Sequence, residues 1–157
     1  MITIPENILV VNGLTPQTNG TALTGDYISL KTAHRVWVVF QMNQLNAAQA
    51  TLSLMKAKVV AGTDAVAVDK AFPVWANQDC STTDILTRAV NAVDYQLDAA
   101  LKQKLVVFQV DPRALGSEYD CVAAKVGASN AANIVSVLYL IEPRYAEGKD
   151  QPSVIVD

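Results

Sequence analysis

One histidine and two cysteines among 157 residues leave little material for the usual enzyme chemistries. The cysteines, Cys80 and Cys121, are too few for a disulfide framework and lack CxxC spacing. Each follows an aspartate, Asp79 and Asp120, whose charge disfavours the thiolate and blunts reactivity. Two separate, part-buried thiols are the preferred reading, with a disulfide between them as the alternative. His34 has no HxH or HExxH companion, and a histidine acting as acid, base or metal ligand needs partners. Arg35 beside it opposes its protonation, so it reads as a turn or sheet-edge residue. No GxSxG occurs, so Ser29, Ser53, Ser117, Ser129 and Ser136 lack a context that would activate them. Neither GxGxxG nor GxxxxGK[ST] is present, and the seven glycines are scattered at turns. Asp26, Asp64, Asp69, Asp111 and Asp120 stand singly near turns; a calcium site from loop carboxylates stays open, but without EF-hand spacing. A glycosidase's carboxylate pair cannot be picked from such dispersed acids. The expectation is a non-enzymatic protein with no catalytic residues, no metal site and no cofactor.

Charge is also scarce. Charged residues make up 17% of the chain, twelve basic against fifteen acidic, for a net charge of -3 and a pI near 5.0. A nucleic-acid binder neutralises phosphates and would show a basic excess, so no nucleic-acid partner is expected. No apolar run approaches the roughly 18 residues that span a bilayer, so no membrane partner is expected either. Met1 to Glu6 lacks the basic region and apolar stretch of a secretory signal. Hydrophobic residues, at 51%, exclude intrinsic disorder. A chain of this length fits one domain, residues 1–157, able to bury roughly two thirds of its unfolded surface.

What the chain does have is strands. Residues 35 to 42 are dense in β-branched and aromatic types. Val36, Val38, Phe40 and Met42 share one face and Arg35, Trp37, Val39 and Gln41 the other. Both faces are largely apolar, which suits a strand covered on both sides or lying at a contact. Residues 105 to 111 and 133 to 141 repeat this character. Weaker candidates are Ile8 to Val11, Tyr27 to Lys31, Thr51 to Lys58, Ala65 to Val68, Val74 to Asn77 and Cys121 to Val126. Turn signals punctuate them: Asn12-Gly13, Asn19-Gly20, Gly25-Asp26, Gly62-Thr63-Asp64, Leu115-Gly116-Ser117 and Gly127 to Asn130. Such spacing predicts an all-β fold, an antiparallel β-sandwich or jelly-roll-like single domain with short helical turns.

Residues 81 to 101 carry two patterns. Leu86, Val90, Val93, Leu97 and Leu101 step as one helical face would, and Ser81 with Asp84 resembles a capping box. Yet Val93, Tyr95 and Leu97 alternate with Asp94, Gln96 and Asp98 as in a half-buried strand. The strand reading is preferred over 92 to 98 because its neighbours are strands, with a helical turn over Asp98 to Lys102 to reconcile the two.

Two strands end alike, in Asp111-Pro112-Arg113 and Glu142-Pro143-Arg144. Proline stops a ladder because it cannot donate a hydrogen bond, so both are expected to end at one rim of the sandwich. A charged rim used for binding is the sharper reading. Trp37 and Trp75, with five tyrosines, could form a sugar-binding platform, though core or interface packing is the default.

The stretch Gly25-Asp26-Tyr27-Ile28-Ser29-Leu30-Lys31-Thr32-Ala33-His34-Arg35-Val36 resembles the N-terminal part of small β-rich structural proteins of tailed bacteriophages and prophages. Leu105 to Asp111 and Val137 to Ala146, with Glu142-Pro143-Arg144-Tyr145-Ala146, are similar to later segments of that group. The resemblance implies a virion component, and among head genes a capsid decoration (cement) protein. Its partners would be the major capsid protein and further copies of itself, as a dimer or trimer, and its place the outer surface of the capsid. Such a protein needs no active site, only sheet edges, apolar patches and termini that order on contact. An N-terminal arm (residues 1–7) and a C-terminal tail (residues 147–157) fit that need. Val154-Ile155-Val156 would either add a strand to a neighbour or pair within its own domain. The mild acidity suits the outside of a shell better than its DNA-facing lining. A tail-associated or head-fibre base protein, and a carbohydrate-binding β-sandwich module for host surfaces, are the alternatives.

Overall fold

A computed structural model describes residue 4, residues 7–145 and residues 153–156. The described chain is nearly all β, and every strand pair is antiparallel. Its strands are β1 (Leu9–Thr18), β2 (Leu23–Thr24), β3 (Ile28–Ser29), β4 (Ala33–Asn43), β5 (Thr51–Ala57) and β6 (Val66–Ala67). Then follow β7 (Val74–Asn77), β8 (Thr87–Arg88), β9 (Asp94–Gln96), β10 (Gln103–Val110), β11 (Cys121–Val126) and β12 (Ile134–Pro143), with a 3-10 turn at Pro112–Leu115 after β10. The first sheet has the order β1-β12-β4-β10-β7-β8. The second runs β2-β11-β5-β6, with β3 also on β11 and β9 also on β5.

The period-two pattern of the long strands explains why two sheets stack. Val36, Val38, Phe40 and Met42 of β4, Val106, Phe108 and Val110 of β10, and Val135, Val137, Tyr139 and Ile141 of β12 all point inward. They meet Leu52 and Leu54 of β5 and Val122, Ala124 and Val126 of β11 from the second sheet. Phe40 and Phe108, level neighbours but one, pack edge to face with ring centroids 5.7 Å apart.

Tyr139 bolts the sheets together. Its hydroxyl donates to the Asp26 carbonyl at 2.9 Å and accepts from the Ala124 N–H at 2.9 Å. β11 pairs with β3 at Val122 and with β2 at Lys125, so Ala124 faces the gap between those two short strands. The phenol thus takes the place of a missing strand partner. Its ring lies so close to Gly13 that an added Cβ would sit 2.5 Å from it, and one on Gly25 would sit 2.6 Å from the Gly13 carbonyl oxygen. Here the glycines serve close approach. Burial raises the Tyr139 pKa above its ordinary value.

Both ends of the sandwich are closed by an inward-facing lysine. At one end the buried Lys104 of β10 donates to the Asp98 carbonyl at 2.7 Å and pairs with its carboxylate. At the other, Lys56 of β5 bonds Asp69 at 2.7 Å and the Leu115 carbonyl at 3.1 Å, its ammonium 4.7 Å from the Tyr119 ring centroid. Asn133 ties the first end further: its amide oxygen accepts from the N–H groups of Leu45 and Asn46, and its amide nitrogen donates to Asn46, Ala48 and Ser129.

Several expectations are corrected. Asn12-Gly13 is no turn but a bulge within β1, which runs on to Thr18. The helical face over Leu86 to Leu101 does not form: Leu86, Val90, Val93 and Leu101 are exposed, and Leu97 alone is buried. Their spacing matched a helix, but backbone pairing of β8 with β7 and β9 with β5 claims the segment. Ser81 and Asp84 form no capping box; Asp79 instead accepts from the N–H of Ser81 and holds the turn. Asp98 to Lys102 makes bends, while the 3-10 turn falls at Pro112–Leu115, where the Asp111 carboxylate caps the Arg113 N–H. Most of the proposed N-terminal arm, and residues 147–152 and 157 of the tail, lie outside the described residues. Within the tail, Val154 is buried in the chain's own core and its carbonyl accepts from the Ser29 N–H at 2.7 Å, while Ile155 and Val156 are exposed.

Candidate binding surface

The outward face of the first sheet is where the sequence pattern and the fold diverge from an ordinary solvated surface. Two cross-strand rows run across it. In one, Val10 of β1 stands level with Leu140 of β12, which is level with Trp37 of β4 and then Gln109 of β10. In the next, Asn12, Leu138, Val39, Val107 and Trp75 follow one another from β1 to β7, and Arg88 of β8 closes the row. Val10 and Leu138 are exposed by 44% and 43%, so this layer is not a second core. The rows extend about 20 Å across the strands and lie about 7 Å apart along them. A contiguous exposed apolar patch is a feature of contact surfaces on soluble proteins. Toward the Lys104 end the face dips into a shallow groove lined by Pro16, Gln41, Leu105, Ile134, Ser136 and Cys80.

Trp37 and Trp75 both belong to this face. The Arg35 guanidinium carbon lies 5.8 Å from the Trp37 ring centroid, and that of Arg88 lies 4.7 Å from the Trp75 centroid. Each ring therefore carries a cation where a sugar would stack.

The acid-Pro-Arg segments end at one rim, as expected. Val110 and Ile141 are both level with Val36, so Asp111 and Glu142 flank Arg35 of β4 at the same rim, with His34 exposed next along β4. Their arginines are engaged locally. Arg144 donates through Nε to the Ala33 carbonyl at 2.9 Å, and Arg113 donates to Asp111 at 3.3 Å. Partial burial raises the Asp111 pKa, but the Arg113 N–H, the Arg113 charge and His34 outweigh it and hold the carboxyl below its ordinary value.

The remaining candidates are scattered. Asp64, Asp69 and Asp120 pair with Lys58, Lys56 and Lys31. Asp26 contributes its carbonyl to Tyr139. Among the described residues no group of three or more His, Cys, Asp or Glu side chains is placed to hold a metal. No disulfide joins the cysteines. Cys80 bonds to Gln103 at the Lys104 end, and Cys121 is buried at the Lys56 end, its thiol 3.3 Å from Asp120. Desolvation, and then the Asp79 charge, raise the Cys80 pKa, as its position after an aspartate implies.

No family model and no curated protein matches the chain. Among solved structures it is similar to the SPBc2 prophage-derived protein YomS, with 11% identity, a TM-score of 0.49, and 90% of this chain and 96% of that one covered. A Tobacco streak virus coat protein is similar at 12% identity and a TM-score of 0.26, over 97% of this chain and 94% of that one. A putative sugar binding protein from Bacteroides thetaiotaomicron is similar at 7% identity and a TM-score of 0.30, over 89% and 84%. These likenesses are remote, and no conclusion about function rests on them.

Proposed function

We propose that this chain is a non-enzymatic structural protein of a tailed-phage or prophage virion, and specifically a capsid decoration protein. The observation that carries the reading is the largely apolar outer face of the first sheet, where Val10, Leu140, Trp37, Leu138, Val39, Val107 and Trp75 span five strands between Arg35 at one rim and Arg88 at one edge. Such a face brings no catalytic groups together, and a protein that clips coat subunits together needs one. The similarity of Gly25 to Val36, Leu105 to Asp111 and Val137 to Ala146 to small phage structural proteins supplies the kind of partner: the major capsid protein. Binding the assembled lattice in preference to separated subunits would stabilise the shell by mass action. The net charge of -3 is compatible with a place on the outer capsid surface. A carbohydrate-binding role is favoured by the shared face of Trp37 and Trp75 but opposed by the guanidinium groups stacked on both rings.

The test is the protein composition of purified virions beside tail-less heads. Hundreds of copies per head, retained without tails, is the expected result. A handful of copies lost with the tail would move the protein to a tail or fibre base, and absence from both would overturn the virion reading.

A further inference from the structure

The first sheet has one edge without a proline or a bulge. At the opposite edge, β1 carries Pro16 and two breaks in register, the devices by which natural sheets avoid edge pairing. β8 has neither, and among the described residues no strand pairs with its far side. Thr87 and Arg88 are exposed, flanked by Ile85 at 69% exposure and Val90 at 88%. Leu86 and Val90, two of the residues that mimic a helical face in the sequence, thus stand exposed beside a sheet edge.

The hydrogen-bond parity of this edge fixes what it can accept. Arg88 is level with Trp75 and Thr87 with Ala76, and the Ala89 N–H donates to the Val74 carbonyl at 2.9 Å. Odd-numbered amides therefore point at β7, and the N–H groups of Leu86 and Arg88 point outward. An antiparallel partner centred on Leu86 would receive both. If that partner is a second copy, Leu86 meets Leu86 on the two-fold axis and Arg88 of each chain stands opposite Asp84 of the other. Residues directly opposite share a face, so Asp84 falls beside Arg88, the residue already anchored on Trp75. The segment is self-complementary in backbone and in charge.

We infer that the β8 edge is a homodimer interface, in which residues 84–88 of two copies pair antiparallel about a two-fold axis through Leu86. The arrangement is isologous, as a closed dimer requires. It joins two first sheets edge to edge and sets their apolar outer faces side by side. The inference concerns self-association alone and stands or falls whether or not the chain decorates a capsid.

Sedimentation equilibrium on the full chain tests it. The chain should run at twice 16.8 kDa. Asp84→Arg and Arg88→Asp, each placing like charges opposite one another twice per dimer, should each weaken association by about tenfold or more. The double variant should regain the dimer, and an equimolar mixture of the two single variants should form the heterodimer in preference to either homodimer. Leu86→Cys in a Cys80→Ser background should cross-link on oxidation, since hydrogen-bonded antiparallel pairs hold Cα atoms about 5.5 Å apart. Circular dichroism of each variant confirms that it is folded. A monomeric wild type, a dimer indifferent to both charge reversals, or a dimer dissolved by Leu138→Glu on the outer face would overturn the inference. A dimer formed by a protein that virions lack would leave it standing and remove the virion reading instead.

Discussion

The first sheet has two apolar faces with different fates. Its inner face, Val38, Phe40, Val106, Phe108, Val137 and Tyr139, is sealed by the second sheet and almost wholly inaccessible. Its outer face, with Trp37, Val39, Val107 and Leu138 on the same three strands, has no such cover among the described residues. The residue types are nearly the same, so composition does not separate core from contact. What separates them is whether the chain itself supplies the covering layer. Where it does, the apolar surface becomes folding energy; where it does not, the same surface is available for association.

Substitutions on the two faces should therefore act on different observables. The largest effect is expected inside: Phe108→Ala removes a ring packed edge to face on Phe40 and should cost about 3–5 kcal/mol, read by urea denaturation. Next comes Tyr139→Phe, which leaves the Ala124 N–H and the Asp26 carbonyl without their partner, at about 1–3 kcal/mol. The same variant sharpens the alkaline behaviour. Because the folded pKa of Tyr139 is raised, its contribution is fully present below the unfolded value of 10.0 and declines as pH rises beyond it. The stability difference between wild type and Tyr139→Phe should accordingly shrink above pH 10. On the outer face Leu138→Glu should change stability by about 1 kcal/mol or less, since no packed neighbour from a second layer is lost. A comparable loss from both faces would break the distinction.

A smaller effect belongs to the loop leading to β8. Hydrogen bonds from the Ser81 side chain, and then from Lys102, hold the Asp79 carboxyl well below its ordinary value. A depressed carboxylate contributes stability above its unfolded pKa of about 3.9, and loses it as pH falls toward the folded value. Asp79→Asn should flatten the acid limb of the thermal melting temperature against pH. An unchanged limb would show that this loop does not report on folding.

Much of the fold was legible because the long strands obey a period of two and end at proline, glycine or asparagine. β7 and β11 fall at their expected limits, β4 extends one or two residues past its own at each end, and β10 and β12 start or stop within two residues of theirs. The second face of β4 was visible too, in the alternation of Trp37 and Val39 with buried valines. Illegible were the features that depend on distant partners. β2 and β8 are two residues long and exist only through β11 and β7. No local signal shows that Lys104 is an inner-face residue satisfied by Asp98, or that Asn133 serves a loop nearly ninety positions away. The apolar steps from Leu86 to Leu101 misled because spacing cannot say whether a pattern faces a core, and here pairing geometry overrode it.

The most direct test of the outer face as a docking surface is binding of the purified protein to tail-less heads stripped of it, wild type beside Leu138→Glu, followed by co-sedimentation. Saturable binding of the wild type, and at least a tenfold loss for the folded variant, is the predicted result. Equal binding by both would show that the capsid, if it is the partner, is held by some other part of the molecule.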